Sequence, residues 1–139
     1  MLYFTHLVSH QLDRKRMLAQ WRSGAITADT VCDADFLLVT AAKFHGVPSQ
    51  SPCPVCESSN LRVVLWIFGE HLGRMSGTAR DLSEIEHIAQ QRDGFIVHTV
   101  EVCPDCKWNH LLQAATARWQ PGTGTTGRTI DNGSDKLGE

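Results

Sequence analysis

Two stretches of the chain are apolar almost without a break: Leu61-Arg62-Val63-Val64-Leu65-Trp66-Ile67-Phe68 and Phe95-Ile96-Val97-His98-Thr99-Val100-Glu101-Val102. Short runs this rich in β-branched and aromatic residues read as strands. The first lacks alternation, which predicts cover on both faces. The two are expected to pair antiparallel. Between them Gly69 to Arg80 predicts a flexible loop. It places its glycines unlike a phosphate-binding loop and has no GK[ST]. Asp81 and Glu84 then form a capping box for a helix through Leu82, Ile85, Ile88 and Ala89, stopped at Asp93-Gly94.

A 3.6-residue period organises the remainder. Phe4, Leu7, Val8, Leu18 and Trp21 share one side of a helical wheel, with Thr5, Ser9, Asp13, Arg16 and Gln20 opposite. This predicts a helix from Leu2 to about Arg22, ended by Ser23-Gly24. Thr27 or Asp29 caps a short helix through Val31-Cys32. Asp33 is the expected N-cap of a helix from Ala34 to His45, with Phe36, Leu37, Ala41 and Phe44 as its buried stripe. Trp108, Leu111, Leu112, Ala115 and Trp119 predict a last helix from Lys107 to about Trp119, ended by Pro121. The tail from Gly122 has only Ile130 and Leu137 as large apolar residues, too few to offset chain entropy, and is expected to be disordered.

Cysteine spacing changes this picture most. Cys53-Pro54-Val55-Cys56 and Cys103-Pro104-Asp105-Cys106 are two CPxC pairs. Each pair can aim two thiolates at one ion from a tight turn, and together they supply a closed tetrahedral Cys₄ set for one structural Zn²⁺. The order of knuckle, strand, helical insertion, strand and knuckle, then helix, predicts an α+β treble-clef or zinc-ribbon-like domain. A two-stranded antiparallel hairpin would be its sheet. The expected division is a helical segment over 1–47, the zinc-binding domain over 48–120 and the tail over 121–139. Cys106, placed at a helix start, would have its thiolate stabilised by the helix dipole. Two alternatives use the same cysteines, a redox CxxC and an iron–sulfur cluster. His110 as a replacement ligand is weighed against a hydrogen-bonding role, which is favoured. Cys32, outside both pairs, reads as a small buried apolar residue.

The net charge of −2 argues against a nucleic-acid-binding surface over the whole molecule. Only Arg14-Lys15-Arg16 is locally basic. The N-terminal helices have the rhythm of a helix-turn-helix, but Ala34 to His45 is poor in groove-reading side chains. No run is long enough for a membrane span, and the N-terminus lacks the basic region of a signal peptide. The expected compartment is the cytoplasm.

Val31-Cys32-Asp33-Ala34, Phe68-Gly69-Glu70 and Glu101-Val102-Cys103-Pro104-Asp105-Cys106-Lys107-Trp108-Asn109-His110-Leu111 resemble an actinobacterial family of small proteins catalogued only as a domain of unknown function. The resemblance covers roughly residues 5–118. It implies an actinobacterial cytoplasmic protein, supports the metal reading and implies no established activity. It draws attention to Asn109 and His110 as groups that would hydrogen-bond the cysteine sulfurs or loop backbone.

The closed site, the lack of a convergent acid–base set and the apolar first helix lead to one expectation. The chain is a non-enzymatic adaptor or regulator that binds another protein. The alternative is a nucleic-acid-binding transcriptional regulator using Arg14, Lys15, Arg16, Arg22, Lys43, Arg74 and Arg80. No small-molecule substrate is evident.

Overall fold

The computed structural model describes residues 1–122. The elements run β1 (Leu2–Ser9), α1 (Gln11–Arg22), α2 (Ala28–Val31), α3 (Phe36–His45), β2 (Val47–Pro48) and β3 (Arg62–Phe68). There follow a 3₁₀ helix (Glu70–Met75), β4 (Thr78–Arg80), α4 (Leu82–Gln91), β5 (Phe95–Val102) and β6 (Asn109–Trp119). They build one antiparallel sheet of six strands in the order β1-β6-β5-β3-β2, with β4 also paired to β3. The predicted pairing of β3 with β5 is present over its whole length, from Arg62 opposite Val102 to Phe68 opposite Ile96. The expected disorder of the tail concerns residues 123–139, which lie outside the described residues.

The expected fold is overturned on this point. The molecule is mostly antiparallel sheet, and the helical N-terminal segment with a treble clef behind it is replaced by strands at both ends. Leu2 to Ser9 is not helical. It forms the edge strand β1, with Leu2 opposite Trp119 and Val8 opposite Ala114. An extra residue between Thr5 and Val8, with His6 at φ 53°, makes a bulge there. The last predicted helix is the strand β6, held between β5 and β1. Its own bulge explains the misreading. Thr99 faces Gln113 and Val100 faces Leu111, so Leu112 is the extra residue and the two-residue alternation breaks in mid-strand. The apolar positions then fall by accident on a helical spacing. Leu112 C=O accepts from His10 N–H (2.8 Å), which ties the start of α1 to the bulge.

Both faces of β3 are covered, as its unbroken apolar run requires. Val64, on one face, packs with Ala41 and Ala42 of α3 and with Val102. Ile67, on the other, packs with Ile85, Ile88 and Ala89 of α4 and with Leu72, Phe95 and Val97. The capping box of α4 forms as predicted: Asp81 accepts from Glu84 N–H at 2.8 Å and Glu84 from Asp81 N–H at 3.2 Å. The Gly69–Arg80 segment is a 3₁₀ helix and a short strand rather than an open loop. Helix α3 is capped by Asp35, not Asp33, through a bond from Leu38 N–H of 2.8 Å. That shift matters. The small residues Ala41 and Ala42 face the sheet, while Phe36, Leu37 and Phe44 stay 80%, 70% and 79% exposed.

Candidate metal centre

The two CPxC turns are built alike. One lies in the connection from β2 to β3, and the other is the turn from β5 to β6. In each, the N–H of the residue after the second cysteine closes the turn onto the first cysteine: Glu57 N–H donates to Cys53 C=O (3.0 Å) and Lys107 N–H to Cys103 C=O (2.8 Å). Cys53 N–H then donates to Ser58 C=O (2.9 Å) and Cys103 N–H to Trp108 C=O (2.8 Å). Proline at the second position pre-sets the backbone angle that such a turn needs. The residue after each pair is left-handed, Glu57 at φ 65° and Lys107 at φ 71°, although neither is glycine. Lys107→Val is therefore expected to cost about 1–2 kcal/mol in denaturant unfolding, while Lys107→Gly costs nothing measurable. Equal losses for both would mean that the lysine side chain, not its backbone angle, is what matters.

These turns bring Cys53, Cys56, Cys103 and Cys106 together. Their Sγ atoms all lie within 4.8 Å of one another, with Cys53–Cys106 and Cys56–Cys103 both at 3.6 Å. A tetrahedral ion with sulfurs at about 2.3 Å has S–S edges of about 3.8 Å, so the four fit around one thiophilic ion. They are free thiols, too far apart to be disulfides. Cys53 and Cys103 are buried, sharing a cluster with Leu18, Val31, Leu61 and Trp108. Burial pushes the Cys53 and Cys103 thiols up to about 11 and Cys106 up to about 12. At Cys56 burial raises the value too, but the Ser58 N–H and the neighbouring thiols together bring it below the ordinary range. Without a cation at least three of the four hold their protons at neutral pH. A dication must displace them, so metal affinity is expected to rise steeply with pH. Calorimetry at pH 7.5 in buffers of different ionisation enthalpy should show about three protons released per ion. Release of fewer than about two would mean the thiols are already ionised in the empty site.

Cys106 does not sit at a helix start, as the treble-clef reading required, but in a strand-to-strand turn. The Trp108 N–H reaches its sulfur at 3.4 Å, and Val55 N–H reaches that of Cys53 at 3.5 Å. Such donors stabilise thiolate without a helix dipole. Asp105 links the two turns, accepting from Ser58 Oγ and from Asn60 Nδ2 (3.0 Å). These bonds hold its carboxyl below the usual carboxylate range.

Behind the centre lies a polar group that sequence reading missed. Glu101 is buried, and its Oε2 accepts from the indole N–H of Trp108 (2.6 Å) and from Arg14 Nε (2.8 Å). Arg14, expected on a basic surface, is turned inward. Asn109 and His110 leave the sulfurs alone. Asn109 Nδ2 donates to Asp33 (2.8 Å) and to Lys107 C=O (3.3 Å), while His110 stacks on Trp108 with ring centroids 5.8 Å apart. Burial lowers the His110 pKa. Cys32, expected to be a plain buried residue, is half-exposed, and its Sγ stands 3.7 Å from that of Cys106. Nothing in the spacing places it there; the short motif Val31-Cys32-Asp33-Ala34 was the one signal.

The profile of a family of unknown function, DUF5318, matches residues 1–128. The chain belongs to that family. Uncharacterized proteins of Mycobacterium bovis and of two strains of Mycobacterium tuberculosis are each 44% identical to it over 138 residues, covering 95% of this chain and 100% of theirs. No solved structure matches it. Among the described residues no helix is long and apolar enough to cross a membrane.

Proposed function

We propose that this member of the family is a non-enzymatic adaptor or regulator, held by a structural Cys₄ zinc centre, that acts by binding another protein. Four thiolates would close the coordination sphere, so the ion would stabilise the fold rather than activate water. The observation that supports a protein partner is the outer surface of α3. Phe36, Leu37 and Phe44 project from it into solvent, and Leu37 and Phe44 line a groove with Trp66, Ala79 and Arg80. Large apolar side chains gathered on one helix face mark an interaction surface more often than isolated ones do. The support has moved from where the sequence put it. Leu18 is buried and Trp21 half-buried, whereas Phe4 and Leu7 are exposed on strand β1 rather than on a helix.

The nucleic-acid reading has less to stand on. Arg14 is committed to Glu101, Arg16 to Asp13 and Arg80 to Glu84. Counterion release needs cations that are free to meet phosphate.

A photo-crosslinking residue at Leu37 in cells, with one at the exposed Gln90 of α4 as control, tests the proposal. A discrete protein adduct is expected at Leu37 alone, lost in a Phe36→Ser/Phe44→Ser chain that keeps its metal. Equal labelling from both positions, or adducts indifferent to the double substitution, would remove the surface from consideration. Metal content of the same protein, with its visible spectrum, separates zinc from an iron–sulfur cluster.

A further inference from the structure

The fifth cysteine stands against the four-cysteine cluster without belonging to its ligand set. Val31 is buried in the same cluster as Cys53, Cys103 and Trp108, and Cys32 packs against that cluster. The chain on either side of Cys32 is fastened. Cys32 N–H donates to Ala28 C=O (2.8 Å), Ala34 N–H to Lys107 C=O (3.0 Å), and Asp33 accepts from Asn109 (2.8 Å). Two of these three bonds tie the α2–α3 connection to Lys107 and Asn109, just past Cys106. The Cys32 sulfur is thus held 3.7 Å from that of Cys106, as close as the ligand sulfurs stand to one another at 3.6 Å.

We infer that Cys32 is an oxidation site coupled to the metal: hydrogen peroxide joins it to Cys106 as a disulfide, and the ion leaves. This rests on the four cysteines holding a metal. The choice of pair follows from the geometry. In the loaded protein Cys53, Cys56, Cys103 and Cys106 are all held by the ion, and only Cys32 has a sulfur outside that set. Cys53 and Cys103 are also buried at 1% and 0% exposure, whereas Cys32 and Cys106 are half-buried. Cys56 is the exposed one, but the sulfur that Cys32 meets is that of Cys106. A disulfide needs its sulfurs at about 2.05 Å, so the pair must close up from 3.7 Å as the bond forms.

The electrons balance as follows. The Cys106 thiolate attacks one oxygen of the peroxide, the O–O bond breaks and hydroxide departs, leaving the sulfenic acid. Cys32 sulfur then attacks the Cys106 sulfur and the S–O bond breaks. The Cys32 proton leaves with the departing oxygen as water. Two sulfurs lose two electrons in total, and the peroxide is reduced by two. The centre keeps three thiolates, no longer a closed tetrahedral set, and a small thiol reverses the change by exchange.

The test uses the full reduced chain loaded with zinc and titrated with hydrogen peroxide. Zinc release is followed by a chromophoric chelator, and cross-links are mapped by non-reducing proteolysis and mass spectrometry. The first cross-link is expected between Cys32 and Cys106, appearing in step with release. Dithiothreitol should restore zinc binding. Cys32→Ser should load the same zinc per chain when reduced, melt at the same temperature and release zinc about tenfold more slowly. A first cross-link between Cys53 and Cys106 or Cys56 and Cys103, or wild-type release from Cys32→Ser, overturns the inference. Zinc content before oxidation reports separately on the metal reading. If the reduced chain takes up none, that reading fails, and the cross-link map of the same chain still decides the pair.

Discussion

A Cys103→Ser chain is expected to bind no metal and to lose at least about 5 kcal/mol of stability. Cys103 is fully buried where β5 ends, packed with Cys53, Leu61 and Trp108. That cluster has few members, and two of its six buried residues are ligands, so it has little apolar area to hold it together without the ion. A structural zinc supplies roughly 10–16 kcal/mol of apparent binding energy, against a net stability of about 5–15 kcal/mol for an ordinary domain. Serine would also leave Cys53 and Cys106 as thiols that burial keeps protonated. The damage should be uneven. The cluster of Ile67, Ile85, Ile88, Phe95 and Val97 under α4 shares no residue with the metal end, and its amides should outlast those of residues 53–61 and 100–110 in hydrogen exchange. Metal analysis with thermal melting checks the first statement and exchange the second. A Cys103→Ser protein that melts within a few degrees of the parent would show that the knuckles are held by packing alone.

Glu101→Ala is expected to cost about 3–5 kcal/mol. It would strip Trp108, 0% exposed, of the partner for its indole N–H and leave Arg14 facing an apolar site. Glu101→Gln keeps an acceptor for the indole but removes the charge opposite Arg14, so its loss should be clearly smaller. By contrast Arg16 and Asp13 form an exposed pair, and Arg16→Ala should change nothing measurable. Urea unfolding followed by tryptophan fluorescence orders the three. A Glu101→Ala protein as stable as Arg16→Ala would mean that water replaces the carboxylate at no cost.

The gathering of the four cysteines was legible because each pair is local. A CPxC turn needs only the residues within it, so Cys53 with Cys56 and Cys103 with Cys106 declare themselves as pairs, and a tetrahedral ion requires two of them. Strands β3 and β5 and the α4 capping box were legible for the same reason, being written in contiguous residues with no irregularity inside. Their antiparallel pairing followed from the second pair standing at the end of β5.

Only the tertiary structure decided the two outer strands and the fifth cysteine. Strand β1 finds its partner at the far end of the chain, Leu2 beside Trp119, and β6 is a strand because β1 and β5 flank it. The bulges at His6 and Leu112 erase the period that would have announced either one. Packing of α3 on the sheet settled a further point, turning Ala41 and Ala42 inward against Val64 and Val102 and Phe36 and Phe44 out. Cys32 meets Cys106 only because Asp33 and Ala34 dock on the turn that follows it. Contacts of this range have no signature in spacing or periodicity. They come into being when separate segments bury their apolar sides against one sheet, and that burial settles which neighbours each residue has.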